Sequence, residues 1–469
     1  MEPPTADQEA PNGKEDARGG RRRAGGQAPN ARAVAAERLR RVEAGGAHVA
    51  RLSDGTLTPD DARLASDLVA GVTRLRRRLD FLLTPLVRGG VERLDPALHQ
   101  LLRIGLYDLL ERRTPPHAAV SGAVTAAHLL SHRGGVALVN GVLRTAARTY
   151  DPAALPRPAT DDPAEDLAVW HSYPTWLVRR WQERLDGEPL DALLRAGNAR
   201  PHFGLRANRL KTTPAELADR LDALGVEARP SAWIDDVLVV ARLQPVLAAG
   251  LVRDGLCAVQ DEAAALVVRA LDPQPGDRVL DCAAAPGGKT LYAAERMENR
   301  GHIVALDISG RKLDLLNRAA RAHGVTIVET VAADLRAATA TPAFTGAFDR
   351  VLLDAPCSGL GVLSRRADLR WNRTEESLDE LVLLQDALLA AAARAVRPGG
   401  LLVYSTCSIE PEENEDRIAY FLVRNPDFQH EPVGDLIPAE LQSPAGDYQA
   451  LPYRHGTDGA YAARLRRTS

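Results

Sequence analysis

The sequence predicts a multidomain protein: an all-α module, then a small α+β segment, then a doubly wound α/β domain. Three observations carry that reading. From Thr58 to Arg148, Leu and Val recur at spacings of three and four, the period of amphipathic helices. Between Phe203 and Ala241, short apolar runs flank a single helical pattern. From Asp277 onward, strand-like runs alternate with helical patterns, which signals parallel strands joined by crossover helices.

Residues 1–30 are Pro, Gly, Ala and charge without periodicity, and are expected to form a disordered tail. The helical module spans 31–150. Thr58-Pro59-Asp60-Asp61 reads as a helix start, with Pro at the first helical position, and Leu64, Leu68, Val72, Leu75, Leu79 and Leu82 form the apolar stripe behind it. Asp95-Pro96 opens the next helix, and two more are expected from Pro116 to Leu130 and from Val136 to Arg148. The Pro/Ala/Asp-rich stretch 151–164 reads as a linker. In the segment 165–270, Trp170, Trp176 and Trp181 lie in a helical stretch, where packing against a neighbouring domain is favoured over base stacking. Strands at Phe203–Ala207 and Val237–Ala241 enclose a helix starting at Thr213-Pro214. The α/β domain, 271–469, is expected to carry strands at Arg278–Leu280, His302–Leu306, Thr326–Val331, Asp349–Leu353 and Leu401–Ser405.

Composition bounds the function. The chain has 469 residues and 45% apolar content, enough for two to four domains with sizeable cores. No apolar run approaches the ~18 residues of a membrane span, and the polar N-terminus lacks a signal-peptide core, so a cytoplasmic protein without a membrane partner is expected. Cys257, Cys282, Cys357 and Cys407 show no CxxC or zinc spacing, which argues against a disulfide framework and a metal site. The net charge of −3 is uneven: residues 31–150 hold 18 Arg, no Lys and 11 acidic residues, hence +7, leaving −10 for the remainder. A basic module on an acidic chain fits a polyanionic partner such as RNA, or simply a solvated arginine-rich surface. Lysine occurs only at positions 14, 211, 289 and 312, so Lys289, inside a glycine loop, stands out as a place where a compact ammonium is needed.

Ligands of open parallel sheets bind outside the carboxyl ends of the strands, and the chemistry-bearing residues of this chain cluster there. Asp281-Cys282-Ala283-Ala284-Ala285-Pro286-Gly287-Gly288-Lys289-Thr290 joins the first strand to a helix, with small residues that let a ligand approach the backbone. It fits neither the P-loop nor the dinucleotide pattern. Asp307, placed to hold ribose hydroxyls, follows the second strand, and Asp334 and Asp354 follow later ones. So many acids suit a cationic sulfonium ligand better than a pyrophosphate. Two thiols follow buried strands in polar turns: Cys357 in Asp354-Ala355-Pro356-Cys357-Ser358-Gly359, and Cys407 in Ser405-Thr406-Cys407-Ser408. A lone buried Cys is usually inert core; two at the functional edge of one sheet favour reactivity.

Together these motifs, with Ile409-Glu410-Pro411-Glu412-Glu413-Asn414-Glu415, Arg311, Asn317, Asp368-Leu369-Arg370-Trp371, Gln385 and Asp458-Gly459-Ala460-Tyr461, resemble the S-adenosylmethionine-dependent RNA cytosine-C5 methyltransferases. The front module resembles the NusB-type RNA-binding domain through Leu101-Leu102-Arg103-Ile104-Gly105-Leu106-Tyr107, Pro116-His117-Ala118-Ala119-Val120 and Val139-Asn140-Gly141-Val142-Leu143-Arg144. The combination, from about residue 31 onward, is similar to the RsmB (Sun/Fmu) family, which acts on 16S rRNA. The resemblance implies a Rossmann-like class I methyltransferase domain and S-adenosylmethionine as cofactor. It implies Cys407 as the thiol that attacks cytosine carbon 6, Cys357 as the group assisting release, Asp354 on the cytosine edge and Lys289 positioning the base. The cofactor would lie against Ala283, Ala284, Ala285, Pro286, Gly287, Gly288 and Lys289, near Asp354, with Asp307 on its ribose and Asp334 by its adenine. Two positions depart from the pattern: related loops often carry Cys at the position of Ala283, whereas here the thiol is one place earlier at Cys282, and the two aromatics that usually follow the terminal Asp-Gly are here Ala460-Tyr461. The alternatives are a tRNA or another rRNA as target, or a non-catalytic RNA-binding assembly factor. The oligomeric state is left open.

Overall fold

The computed structural model describes residues 30–44 and 57–468, so the tail expected over 1–30 lies outside the described residues apart from Asn30. The helical module comprises α1 (Ala31–Glu43), α2 (Pro59–Leu83), α3 (Pro96–Leu110), α4 (Pro116–Leu130) and α5 (Arg133–Thr149). Side chains that satisfy free first-turn amides set three of the starts: Asn30 for α1, Thr58 for α2 and Asp95 for α3. Leu68, Val72, Leu75, Leu79 and Leu82 of α2 are buried in one core with Leu101, Ile104 and Leu143. Arg103, buried in that module, pairs with both Asp80 and Glu43, so its charge is compensated.

Three short helices, α6 (Pro163–His171), α7 (Thr175–Gln182) and α8 (Gly187–Ala196), lead to a four-stranded antiparallel sheet. Its strands β1 (Phe203–Ala207), β2 (Ala228–Pro230), β3 (Val237–Val240) and β4 (Cys257–Val259) lie in the order β2-β3-β1-β4. The helix α9 (Pro214–Ala223) starts in a reciprocal capping box between Thr213 and Glu216, and α10 (Gln244–Ala248) follows β3.

The last domain begins with α11 (Glu262–Leu271). It continues through β5 (Arg278–Asp281), α12 (Gly288–Arg296), β6 (His302–Asp307), α13 (Gly310–His323), β7 (Val328–Ala332), α14 (Leu335–Ala338) and β8 (Phe348–Asp354). After α15 (Leu369–Asn372) and α16 (Glu375–Ala395) come β9 (Val396–Thr406), α17 (Glu415–Arg424), β10 (Phe428–Glu431), β11 (Tyr448–Ala450) and β12 (Ala460–Arg467). The strand order is β10-β12-β9-β8-β5-β6-β7, with β11 on β12. The strands β5 to β9 are parallel, as the alternating pattern requires. The C-terminal part differs from a purely parallel sheet, because β12 runs antiparallel between β9 and β10. Its apolar run, Ala460–Ala463, is only four residues and mostly alanine, and the buried Arg464 that follows is compensated by Glu431. The chain leaves β5 towards β6 and β7, then returns to its other side as β8 and β9. The carboxyl ends of β5 and β8 therefore face the topological switch point, where ligands of such sheets bind.

The Asp368-Leu369-Arg370-Trp371 motif fastens the helical module to this domain. Arg370 is fully buried, 3.9 Å from the Tyr173 ring centroid, and donates to Asn198 Oδ1 at 2.7 Å and the Gly197 carbonyl at 2.8 Å. The Trp371 indole donates to the Thr73 carbonyl of α2 at 2.7 Å, beneath the Arg76 guanidinium. The three tryptophans of the connecting helices pack as expected: Trp181 is buried, Trp176 packs half-buried against the same cluster, and Trp170 lies under Arg78 and Arg157. Among the described residues, no helix is long and apolar enough to cross a membrane and no cluster of His, Cys, Asp and Glu is arranged to hold a metal.

Candidate active site

The glycine loop turns from β5 into α12 at Gly287, whose φ of +114° and contact with Leu316 exclude a side chain: an added Cβ would lie 2.7 Å from Leu316 Cγ. Beside it is a cavity of about 250 Å³ lined by Ala283, Ala284, Ala285, Pro286, Gly288 and Lys289 of the loop. Three carboxylates, Asp261, Asp281 and Asp354, also border it, with Gln260 on the side of the small sheet. Asp281 is buried and accepts from the Thr290 hydroxyl at 2.7 Å. Burial, reinforced by the charge of Asp354, pushes its carboxyl up to about 6. Lys289 Nζ donates to Asp354 Oδ2 at 2.7 Å, and the Ser405 hydroxyl donates to Oδ1 at 2.9 Å. Burial pulls the Lys289 ammonium down, but the charge and hydrogen bond of Asp354 outweigh it and hold the group above its ordinary value.

Asp307 is turned towards the same loop. Its Oδ2 accepts from the Ala285 amide at 3.2 Å and its Oδ1 from Ser309 at 2.8 Å. The next residue, Ile308, leaves an apolar side chain 79% exposed. Asp334 caps α14 and pairs with Arg336 at 2.6 Å, which holds its carboxyl down at about 2. Neither acid borders the cavity itself. Cys282 points into the sheet core against Leu280 and Val304, and burial pushes its thiol well up.

The two other thiols meet. Cys357 follows β8, Cys407 follows the adjacent β9, and Sγ to Sγ is 3.4 Å. The β8–β9 register, Asp354 opposite Ser405, brings them together across 50 residues of chain. The Cys357 thiol is pushed well up, first by its hydrogen bond with Cys407, then by burial and the charge of Glu413. Glu413 is fully buried and ties both thiol turns together. It accepts from the Ser358 amide at 2.7 Å and from Gln385 at 2.9 Å, and also from the hydroxyls of Ser358 and Ser408. The Asp458-Gly459 motif supports the same place from outside. Gly361 donates to the Cys407 carbonyl at 3.0 Å and accepts from the Gly459 amide at 2.8 Å, an approach that leaves no room for a Cβ on either glycine.

A family model described as 16S rRNA methyltransferase RsmB/F matches residues 268–466. A NusB family model matches 29–148, and a ferredoxin-like domain model of RsmF/B-type methyltransferases matches 173–247. A relative from Bacillus subtilis (strain 168), named "Probable ribosomal RNA small subunit methyltransferase B", is 34% identical over 422 residues, 89% of this chain and 93% of its own. Ribosomal RNA small subunit methyltransferase B of Pasteurella multocida (strain Pm70) is 34% identical over 452 residues, 93% of this chain and 96% of its own. This chain belongs to the RsmB/F methyltransferase family. Among solved structures, the protein PH0851 is similar over 94% of this chain and 100% of its own, with TM-score 0.75 and 27% identity. A methyltransferase homologue from Pyrococcus horikoshii covers 65% of this chain and 99% of its own, with TM-score 0.57 and 30% identity.

RsmB/F proteins are S-adenosylmethionine-dependent, and the cavity fits that cofactor. Its acidic lining suits a sulfonium, its small side chains leave backbone accessible, and Gln260 brings a buried donor with no partner. Within the RsmB/F frame, the Glu410 position joins the reactive turn to the connecting helices. Its buried carboxylate accepts from the Trp181 indole at 2.8 Å, Arg180 at 2.6 Å and Arg184 at 3.0 Å. Sequence reasoning assigned no role to Glu410 or Glu413, although both stand in the stretch after Cys407. Their signal is weak, since Glu412 between them is exposed and all three read alike.

Proposed function

We propose that this RsmB/F family member transfers the methyl group of S-adenosylmethionine to carbon 5 of a cytosine in 16S rRNA, through a covalent bond between Cys407 and carbon 6. The observation that carries the reading is the meeting of two thiols at 3.4 Å beside the Lys289–Asp354 pair that borders the cofactor cavity. Carbon 5 of cytosine is a poor nucleophile on its own. Addition of the Cys407 thiolate to carbon 6 converts carbon 5 into an enamine-like carbon able to take a methyl group. The cofactor supplies that methyl as a cationic electrophile. Asp354, fixed by Lys289 and Ser405, accepts from the cytosine edge and favours its protonation, which makes carbon 6 more electrophilic. Transfer of the carbon-5 proton to solvent water then lets the C–H electrons restore the ring double bond and expel the Cys407 thiolate. Cys357, pushed towards its neutral thiol, assists this release by donating its S–H to the departing Cys407 sulfur.

The glycine loop would hold the cofactor, with Asp307 on the ribose and the exposed Ile308 against the adenine. Asp334, capped and paired outside the cavity, would reach the adenine only at its edge. The cytosine leaves its stack to reach the thiols, and the arginine-rich helical module contributes salt-dependent affinity for the RNA backbone. The 16S target follows the names of the relatives, and a cytoplasmic location follows from that substrate. Cys407→Ala is expected to abolish methyl transfer while retaining cofactor binding; turnover in that variant sinks the covalent mechanism. Bisulfite mapping of ribosomal RNA from a strain lacking the protein tests the target, since unchanged methylation of every small-subunit cytosine excludes it.

A further inference from the structure

Gln260 borders the cofactor cavity next to Gly288 of the glycine loop. It sits between β4 and α11, is 6% exposed, and its backbone amide donates to the Gly204 carbonyl of β1 at 3.0 Å. Its Oε1 accepts from Arg206 Nε at 2.6 Å. A guanidinium carries only donors, so that bond decides which end of the carboxamide faces Arg206. The nitrogen is thereby turned the other way, towards Gly288, and would lie 3.7 Å from a Cβ added to that glycine. There it borders the cavity and has no hydrogen-bond partner. Arg206 cannot easily swing aside, because it is fully buried, pairs with Glu295 of α12 and lies 4.4 Å from the Tyr292 ring centroid. A buried donor held so firmly without an acceptor is a rare and costly arrangement that calls for a ligand.

We infer that Gln260 is a cofactor-binding residue whose carboxamide nitrogen donates to the carboxylate at the methionyl end of S-adenosylmethionine. The inference rests on the cavity being the cofactor site. That carboxylate is the cofactor's one anionic group, and it must enter a cavity bordered by Asp261, Asp281 and Asp354. The acids suit the sulfonium and ammonium; the carboxylate needs donors. Gln260 provides one beside the first turn of α12, where free amides and the helix dipole favour an anion.

Calorimetric binding of S-adenosylmethionine, S-adenosylhomocysteine and decarboxylated S-adenosylmethionine to the full chain tests this. In Gln260→Ala, affinity for the two carboxylate-bearing ligands is expected to fall about 10- to 100-fold, the scale of a hydrogen bond to a charged group, while the decarboxylated ligand binds as to the wild type. Gln260→Glu keeps the acceptor for Arg206 but presents a second oxygen to the ligand, and its loss for the carboxylate-bearing pair is expected to be at least as large. It also keeps the test alive if the alanine variant does not fold. Equal losses for all three ligands, or no loss, would overturn the inference. A wild type that binds none of them would instead overturn the assignment of the cavity.

Discussion

Replacing Glu413 by Ala removes the carboxylate on which both thiol turns converge. After truncation the hydroxyls of Ser358 and Ser408 still have each other at 3.1 Å, and Gln385 keeps the Pro356 carbonyl at 2.9 Å. The Ser358 amide, which donated to Glu413 at 2.7 Å, has no such alternative. Leaving that buried amide without an acceptor costs about 1–3 kcal/mol, and the turn next to Cys357 should open more readily by that amount. Hydrogen–deuterium exchange at Ser358 reads the opening locally, without assuming that the whole multidomain chain unfolds in one step. At about 1.4 kcal/mol per tenfold, protection there should fall by about 10- to 100-fold. Methyl transfer should fall by a similar factor, since a displacement of about 1 Å between reacting groups can cost about 100-fold. Affinity for S-adenosylmethionine should hardly change, because Glu413 does not border the cofactor cavity. Glu413→Gln keeps the shape and one acceptor, and is expected to recover most of the protection. Wild-type exchange at Ser358 in the alanine variant would refute the reasoning, and so would a full transfer rate beside a freely exchanging amide.

Cys357→Ala should trap the covalent RNA–protein complex, seen as a denaturation-resistant shift in gel mobility; fast turnover without that band removes its role in release. Asp281 titrates at about 6 in the folded chain against an ordinary 3.8. Between about pH 4 and 6 the unfolded chain ionises this group while the folded one keeps its proton. Its contribution to stability therefore falls across that window, by about 3 kcal/mol, and is flat above it. Asp281→Asn should remove that fall, so the variant-minus-wild-type difference in unfolding free energy should grow in favour of Asn from pH 4 to 6; a difference independent of pH contradicts the assignment. Arg370→Ala should loosen the joint between the connecting helices and the α/β domain, because it empties the space over Tyr173 and frees buried acceptors at Gly197 and Asn198. Differential scanning calorimetry should then resolve two transitions further apart than in the wild type, and a superimposable trace argues against the joint.

The parts that were legible in the sequence are those where local chemistry leaves little choice. Thr58, Asp95 and Pro116 mark helix starts because a first turn needs a side-chain acceptor or tolerates a missing donor, and the observed helices begin there. The acids Asp281, Asp307 and Asp354 stand at strand ends because each closes an apolar run, and parallel pairing brings those ends to one edge. What could not be read is the lateral information. Nothing local to Cys357 or Cys407 says that β8 and β9 are neighbours, or that the Asp354–Ser405 register sets their sulfurs 3.4 Å apart. Antiparallel β12 was missed because its run Ala460–Ala463 is short and mostly alanine and three of the last four residues are arginines, so its signal is weaker than that of a central strand although Tyr461 and Leu465 are fully buried.

The same limit applies to the polar residues that hold the site. Glu413 ends a single 3-10 turn, Pro411–Glu413, and Gln260 lies in the short link from β4 to α11, segments too short for a period to separate an inward side chain from an outward one. Their burial makes sense only once several distant donors are seen to converge: Ser358, Ser408 and Gln385 on Glu413, and Arg206 on Gln260. In both cases the polar group is stabilised by partners from another segment and is aimed at a place where chemistry or a ligand is expected. Candidate reactive residues in this fold can thus be read from their own strand ends, whereas the residues that would position them must be found from hydrogen bonds left incomplete, or completed only across domains. The orphaned nitrogen of Gln260 and the saturated carboxylate of Glu413 are opposite forms of that evidence: the first is open to a ligand, and the second already has all its partners and so serves geometry rather than binding.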